Sequence, residues 1–376
     1  MMPYYLIFLF SLLASCIEIT DRNKTIAVRK SITILFGYLV LLSFYLFTCC
    51  KGNVGTDYLG YYDIYTNLGN LPYSQAKAYI EPVFWLLCHT CNSLGLSFGA
   101  FWFFIAFVTL SSTFLFFKKM SPCFFLSLLI YLSGLFIERD FDGIRQGLSI
   151  GFAYIAILEY VKGSKKFFWI FFLISLGVHF SSFIFILVPI LSRLKIKKSV
   201  FYLSIFIGLL FVVLKMDLIT FVMKIVPQSY IRTRLMMYYD NQFGGVIGLN
   251  IGIIVRIVVA LLFFKIKPID IKMNEETYNL LLNGFLVSIL LFCFFNNIEI
   301  IAHRFAYGFR EFQIVIIPIC FKYYVLDKKI STDSKLFFYS IYIFYSFLLF
   351  SRIINSPKLH QYYEYSFIFS NNNLLK

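Results

Sequence analysis

The chain has 376 residues, of which 60% are hydrophobic, 21% aromatic and 14% charged, with a formal net charge of +15. So little charge cannot coat a water-soluble domain of this size, which excludes the soluble globular classes and leaves a single integral membrane domain over 1–376. The basic excess would point to nucleic acid on a soluble chain; here it is assigned to loops holding the cytoplasmic side, and no nucleic-acid partner is expected.

Apolar runs of roughly twenty residues recur along the chain, each the length of a bilayer crossing. Spans are expected near 3–20, 31–49, 82–117 (two segments), 121–137, 143–161, 167–192 (broken), 199–216, 246–264, 277–296, 305–326 and 336–353. The expected fold is all-α, a polytopic transmembrane bundle of about 11–13 helices with broken or re-entrant segments and an outward-facing cavity. The run to Thr20 reads as an uncleaved first helix. Leu13-Ala14-Ser15-Cys16 looks like a lipoprotein cleavage box but lacks a basic stretch before it.

Arg22, Lys24, Arg29 and Lys30 follow the first span and place that loop in the cytoplasm. Alternation then puts Lys118/Lys119, Lys162/Lys165/Lys166, Arg193/Lys195/Lys197/Lys198, Lys265/Lys267/Lys272 and Lys328/Lys329/Lys335 inside. This requires 82–117 to make one net crossing and 167–192 to turn back. The segments near 50–81, 138–143, 217–245 and 297–304 fall outside. Inside, the basic residues are mostly Lys; outside they are mostly Arg, namely Arg139, Arg145, Arg232, Arg234, Arg304 and Arg310. Topology disfavours basic residues there. Arg offers a planar fork that grips phosphate oxygens in pairs, so the set points to a phosphate-bearing ligand in the outer headgroup layer. Pairing to outer Asp, Glu or lipid phosphates is the plainer alternative.

In chain order, Gly55-Thr56-Asp57-Tyr58 with Tyr61 and Tyr62 opens the first outer loop, combining a carboxylate with rings of the kind that stack on sugars. An interfacial Tyr belt explains the rings but not Asp57. Glu81-Pro82 suits a helix start, where Glu81 serves as a cap or as a general base. Cys88-His89-Thr90-Cys91 lacks a second ligand pair, so no metal and no cofactor are expected. Arg145 and Gln146 lie at the start of an apolar helix, where a basic side chain opposes the helix dipole and implies a nearby anion; pairing with Asp140 or Asp142 is the alternative. Gly143 and Gly147 permit close backbone approach. His179 lies in the segment that must turn back, as a proton shuttle or a hydrogen-bonded structural group. Arg304, Tyr307 and Glu311 are expected on one helix face. Arg256 lies mid-span and needs a partner or a cavity.

Gly55-Thr56-Asp57-Tyr58, Glu81-Pro82-x-Phe84, Ile144-Arg145-Gln146-Gly147-Leu148, His179-x-Ser181 and Arg304-Phe305-x-x-x-Phe309, in that order, resemble the EpsG-like family of Wzy-type polymerases, with Ser149 in place of an expected Ala. The resemblance implies a glycosyltransferase in the bacterial inner membrane, its active site facing the periplasm or outside. It would join undecaprenyl-pyrophosphate-linked oligosaccharide repeat units, as donor and acceptor, into O-antigen, capsule or exopolysaccharide. Membrane lipid and a Wzz-type chain-length regulator would be its partners. Arg145 and Arg304 would hold pyrophosphate in place of a metal ion, supported by Arg139, Arg232, Arg234, Arg310, Tyr58, Tyr61 and Gln146. Asp57, Glu81 or His179 would take the proton. The competing classes are a lipid-linked oligosaccharide flippase, an O-antigen ligase and a membrane O-acetyltransferase. A flippase should show an internal repeat, which is not found. An acetyltransferase should place its His and Arg on the inner side.

Overall fold

The computed structural model describes residues 2–20, 27–216, 218, 247–297, 299–328, 330–356 and 362–367. The described residues are overwhelmingly helical, as the apolar runs require: lipid offers no partner for backbone N–H and C=O groups, so each segment satisfies its own. Among the described residues, four helices are long and apolar enough to cross a bilayer: Met2–Ile19, Phe98–Met120, Glu275–Phe294 and Thr332–Ile354. The chain forms two compact units, Met1–Ser182 with Phe321–Lys376, and Phe183–Cys320.

In the first unit, the helices Met2–Thr20, Ala27–Cys49, Phe98–Met120, Phe124–Gly134, Ile144–Val161, Lys165–Val178 and Thr332–Ile354 form the bundle. Ile144–Val161 packs between Phe98–Met120 and Lys165–Val178. Small residues make this close approach workable: a Cβ on Gly147 would meet Thr109 at 3.2 Å and collide with the Asp140 carboxylate. On the other side Ser149 donates to the Ser175 carbonyl at 2.9 Å, and Ser175 donates back to the Ser149 carbonyl at 2.6 Å. Ser149, the departure from the family pattern, thus joins two helices. Thr332–Ile354 turns Leu336, Phe337, Ile341 and Phe344 outward, as lipid-facing residues should be.

Two broken segments expected from the sequence are present. The 82–117 region divides into Pro82–Ser93 and Phe98–Met120; the first, about 18 Å long, is too short to cross a hydrocarbon layer of about 30 Å. The 167–192 region breaks after Val178, continues as the 3₁₀ segment Phe180–Leu187, and resumes as Val188–Arg193. The 138–143 stretch, expected as an outer loop, is part of a π-helical turn, Phe136–Asp142, with Arg139, Asp140 and Asp142 buried. Arg139 pairs with Asp140, and Asp142 accepts amides and hydroxyls of the protein, so these three buried charges do not depend on water.

In the second unit, Asn283 on Glu275–Phe294 donates to the Leu191 and Leu194 carbonyls at 2.8 and 2.7 Å, closing the end of Val188–Arg193. Asn250 and Asn274 cap the starts of Ile251–Phe264 and Glu275–Phe294. The expected face shared by Arg304, Tyr307 and Glu311 does not form. The Glu299–Arg310 helix ends before Glu311, which is buried with Tyr307 while Arg304 is exposed.

Candidate functional site

In the first unit, the Gly55-Thr56-Asp57 loop is tied to the start of the Arg145 helix through Asp142. One Asp142 oxygen accepts the Thr56 amide at 3.1 Å and the Thr56 hydroxyl at 2.7 Å, and the other accepts the Asp57 amide at 3.0 Å. Tyr363 adds its hydroxyl at 3.2 Å. Gly55 has φ +102°, a left-handed conformation that costs other residues strain, and a Cβ there would run into the Asp142 carboxylate. The Tyr362–Phe367 segment lies along this loop: the Gly52 amide donates to the Ser366 carbonyl and the Gly55 amide to that of Tyr362, at 2.8 and 2.7 Å.

Beneath the loop, Lys51 is wholly buried. It donates to the Val54 carbonyl at 2.7 Å and to that of Phe141, and its ammonium lies 4.3 and 4.2 Å from the Trp102 and Phe141 ring centres. Burial draws its pKa down to about 7, against the opposing charges of Asp142 and Asp57.

Arg145 does not pair with Asp140 or Asp142; Arg139 and the loop already hold those carboxylates. Its Nη1 instead faces Glu81 Oε2 at 3.3 Å, both side chains remaining partly exposed. Glu81 is the N-cap of Pro82–Ser93, yet its carboxylate makes no cap hydrogen bond. It reaches across the unit and accepts the Phe180 amide at 3.2 Å. That amide was freed by the helix break, and its neighbours are also satisfied. The Ser181 amide donates to His179 Nδ1 at 3.1 Å, and the Ser182 amide and hydroxyl donate to the His179 carbonyl at 3.2 and 2.9 Å. Glu81, Arg145, His179 and Ser181 thus meet at one break.

Among the described residues, several polar atoms of these segments are buried without a hydrogen-bond partner: Glu81 Oε2 (apart from its ion pair), Arg145 Nε and Ser181 Oγ, with Gln146 Nε2 next along the Arg145 helix. Buried polar atoms rarely go unsatisfied, so such a group calls for water or a polar ligand to complete it.

The remaining predicted residues have other surroundings. Arg139 is fully enclosed, its guanidinium on Asp140 with Thr113 at 3.3 Å and Tyr154 at 3.5 Å, while Tyr131 donates to the same carboxylate. Tyr58 and Tyr61 are core residues, their rings against Phe98 and Trp102, and Phe84 and Trp102, so neither presents a free face to a sugar. The local cause is helical spacing: helix Tyr58–Thr66 starts after Asp57, and its periodicity turns Tyr58, Tyr61 and Tyr65 inward on one face. Asp57 itself is exposed. Arg232 and Arg234 lie outside the described residues.

In the second unit, Arg310 Nη1 lies 2.7 Å from His303 Nδ1, and its guanidinium lies 4.3 Å from the Tyr307 ring centre. A guanidinium only donates, so Nδ1 accepts and the imidazole is neutral. Mid-span Arg256 rests 4.5 Å from the Phe292 ring centre. Arg304 is exposed on the same helix as His303.

The family model described as the EpsG family matches residues 34–367. The chain belongs to the EpsG family. With four bilayer-length apolar helices among its described residues, this EpsG-family chain is a multi-pass membrane protein. Among curated proteins it is similar to amylovoran biosynthesis protein AmsC of Erwinia amylovora, 26% identical over 196 residues, which cover 50% of this chain and 52% of the relative. The EpsG-family chain thus spans about half the length of the curated relative it matches. No solved structure matches it.

Sequence reasoning did not select Lys51, Asp142, Ser181 or Tyr363 as site residues of this EpsG-family chain. Lys51 carried a usable signal, being a Lys directly after an apolar span on the side expected to be outside. Ser181 carried one too, as the last residue of His179-x-Ser181. Nothing local to Tyr363 distinguishes it from the other Tyr residues.

Proposed function

We propose that this protein is a polysaccharide polymerase that extends a glycan by transferring it from lipid pyrophosphate to an incoming lipid-linked repeat unit. The carrier would be undecaprenyl pyrophosphate, and the reaction would take place on the outer face of the cytoplasmic membrane. Family membership and the similarity to a protein named for amylovoran biosynthesis support the reaction class. The single observation that carries the site is the Arg145–Glu81 pair at the His179 break, with its unpartnered buried polar atoms.

Arg145 has one Nη on Glu81 and an Nε without a hydrogen bond, so its Nε edge suits two phosphate oxygens at once. The position at the start of Ile144–Val161 adds helix-dipole attraction for an anion. Gln146 Nε2 supplies a further donor. In the transfer, an acceptor hydroxyl oxygen bonds to the donor sugar's anomeric carbon as the bond from that carbon to the pyrophosphate oxygen breaks. The hydroxyl proton passes to a base, and Arg145 stabilises the departing charge. The exposed Arg304 is proposed as a phosphate contact of the second unit. Arg139 has no role in ligand binding in this reading, since its charge is spent inside the fold.

The test is deletion of the gene followed by gel analysis of the surface glycan, with complementation by wild type and by Arg145→Ala. Loss of the ladder with a single repeat unit retained, unrestored by Arg145→Ala at normal membrane abundance, is the expected result. Complete loss of glycan would favour a flippase, and an unchanged ladder would remove the polymerase reading.

A further inference from the structure

We infer that Glu81 is the base that takes the acceptor proton and that His179 acts as a proton-bearing hydrogen-bond donor. This assignment rests on the polymerase reading above and concerns the division of labour within that site. It starts from a backbone bond. The Ser181 amide donates to His179 Nδ1 at 3.1 Å, and a backbone N–H cannot reverse its role. Nδ1 therefore carries no proton, and a neutral imidazole with a bare Nδ1 holds its hydrogen on Nε2. The hydrogen this ring can share with an oxygen is the one on Nε2.

The local fold keeps this tautomer in place. His179 has extended backbone angles at the end of Lys165–Val178, and its carbonyl accepts the Ser182 amide and hydroxyl, with the Ser149 hydroxyl at 3.3 Å. The loop from 179 to 182 is thereby a closed turn around the ring, and rotating the imidazole to free Nδ1 would strip the Ser181 amide of its acceptor. His179 is poorly arranged to accept a proton from a sugar hydroxyl and well arranged to donate to an oxygen.

Glu81 has the opposite character. One oxygen accepts the Phe180 amide, which holds the carboxylate in position; the other, Oε2, faces Arg145 Nη1 at 3.3 Å and makes no hydrogen bond among the described residues. When pyrophosphate takes up the Arg145 charge, the Oε2 electron pair is left to the acceptor hydroxyl. In the balanced step, that proton moves to Glu81 Oε2 while the acceptor oxygen bonds to the anomeric carbon. The electron pair of the broken bond leaves on the pyrophosphate oxygen, which Arg145 and His179 Nε2–H stabilise.

The test uses full-length protein in vesicles with a lipid-linked repeat unit, following chain extension against pH. Glu81→Gln keeps an oxygen for the Phe180 amide and should lose at least about a hundredfold in rate at every pH, in line with removal of a general base. His179→Gln retains an N–H donor and should keep roughly a tenth or more of the rate, whereas His179→Ala should fall well below it. A separate readout is ¹⁵N NMR of histidine-labelled protein, where the neutral His179 ring should show Nδ1 as the bare nitrogen. An active Glu81→Gln, or a ring protonated on Nδ1, overturns the assignment while wild-type activity leaves the polymerase reading intact. A wild type that extends no chain overturns both.

Discussion

The Asp142 carboxylate accepts the Thr56 hydroxyl at 2.7 Å, joining two stretches 86 residues apart. Because its two oxygens also take the Thr56 and Asp57 amides, Asp142 fixes the Gly55-Thr56-Asp57 loop to the residues that begin the Arg145 helix. Asp142→Asn turns one acceptor into a donor aimed at other donors. The expected cost is about 1–3 kcal/mol of stability, seen as a lower melting temperature in detergent, because buried donors lose their acceptor.

Gly55→Ala should be damaging by a different route. At φ +102° an added methyl is strained, and it would also displace the Asp142 carboxylate. A loss of about 1 kcal/mol or more is expected from the backbone alone. Gly60→Ala is the control: it lies within helix Tyr58–Thr66 with open space around it, and should raise stability by about 0.5–1 kcal/mol. Equal melting temperatures for the two variants would contradict this account.

Lys51 gives the fold a pH dependence with a definite sign. Its pKa falls from an ordinary 10.5 to about 7, so between those values the unfolded chain binds the proton more strongly than the folded one. Folded stability therefore gains from this group as pH rises from about 7 toward the ordinary Lys value, and the contribution is flat below about 7. Lys51→Met should flatten that rise relative to wild type in melting curves taken from pH 6 to about 10. An unchanged slope would show that Lys51 is not the titrating group.

Arg139 and Arg145 should part company. Arg139→Ala strands a buried Asp140 and is expected to cost about 3–5 kcal/mol, read as loss of protein from the membrane. Arg145→Lys leaves the fold and the charge near Glu81 but removes the planar fork. Normal membrane abundance with chain extension reduced about tenfold or more is expected. Full activity with Lys would reduce Arg145 to a point charge.

The orientation can be checked with Lys77→Cys, an exposed position between short helices of the 50–81 segment expected outside. An impermeant thiol reagent added to intact cells should label it. Labelling confined to lysed cells would reverse the assigned topology.

The sequence alone determined the membrane class, the approximate spans and the two broken segments. Hydropathy over about twenty residues is a property of the segment itself and needs no partner. It also supplied the ordered motifs through Arg145, Glu81 and His179. Only tertiary packing decided which partners they meet. Asp140 was claimed by its neighbour Arg139, and Asp142 by a loop 86 residues earlier, which left Arg145 to Glu81. Tyr58 and Tyr61, equally suited to a sugar or to a core, went to the core because the helix begun at Asp57 turns them onto Trp102. A side chain's chemistry is local, but in a low-dielectric interior its partner is set by whichever opposite charge or donor the fold brings nearest, and no spacing along the chain encodes that choice.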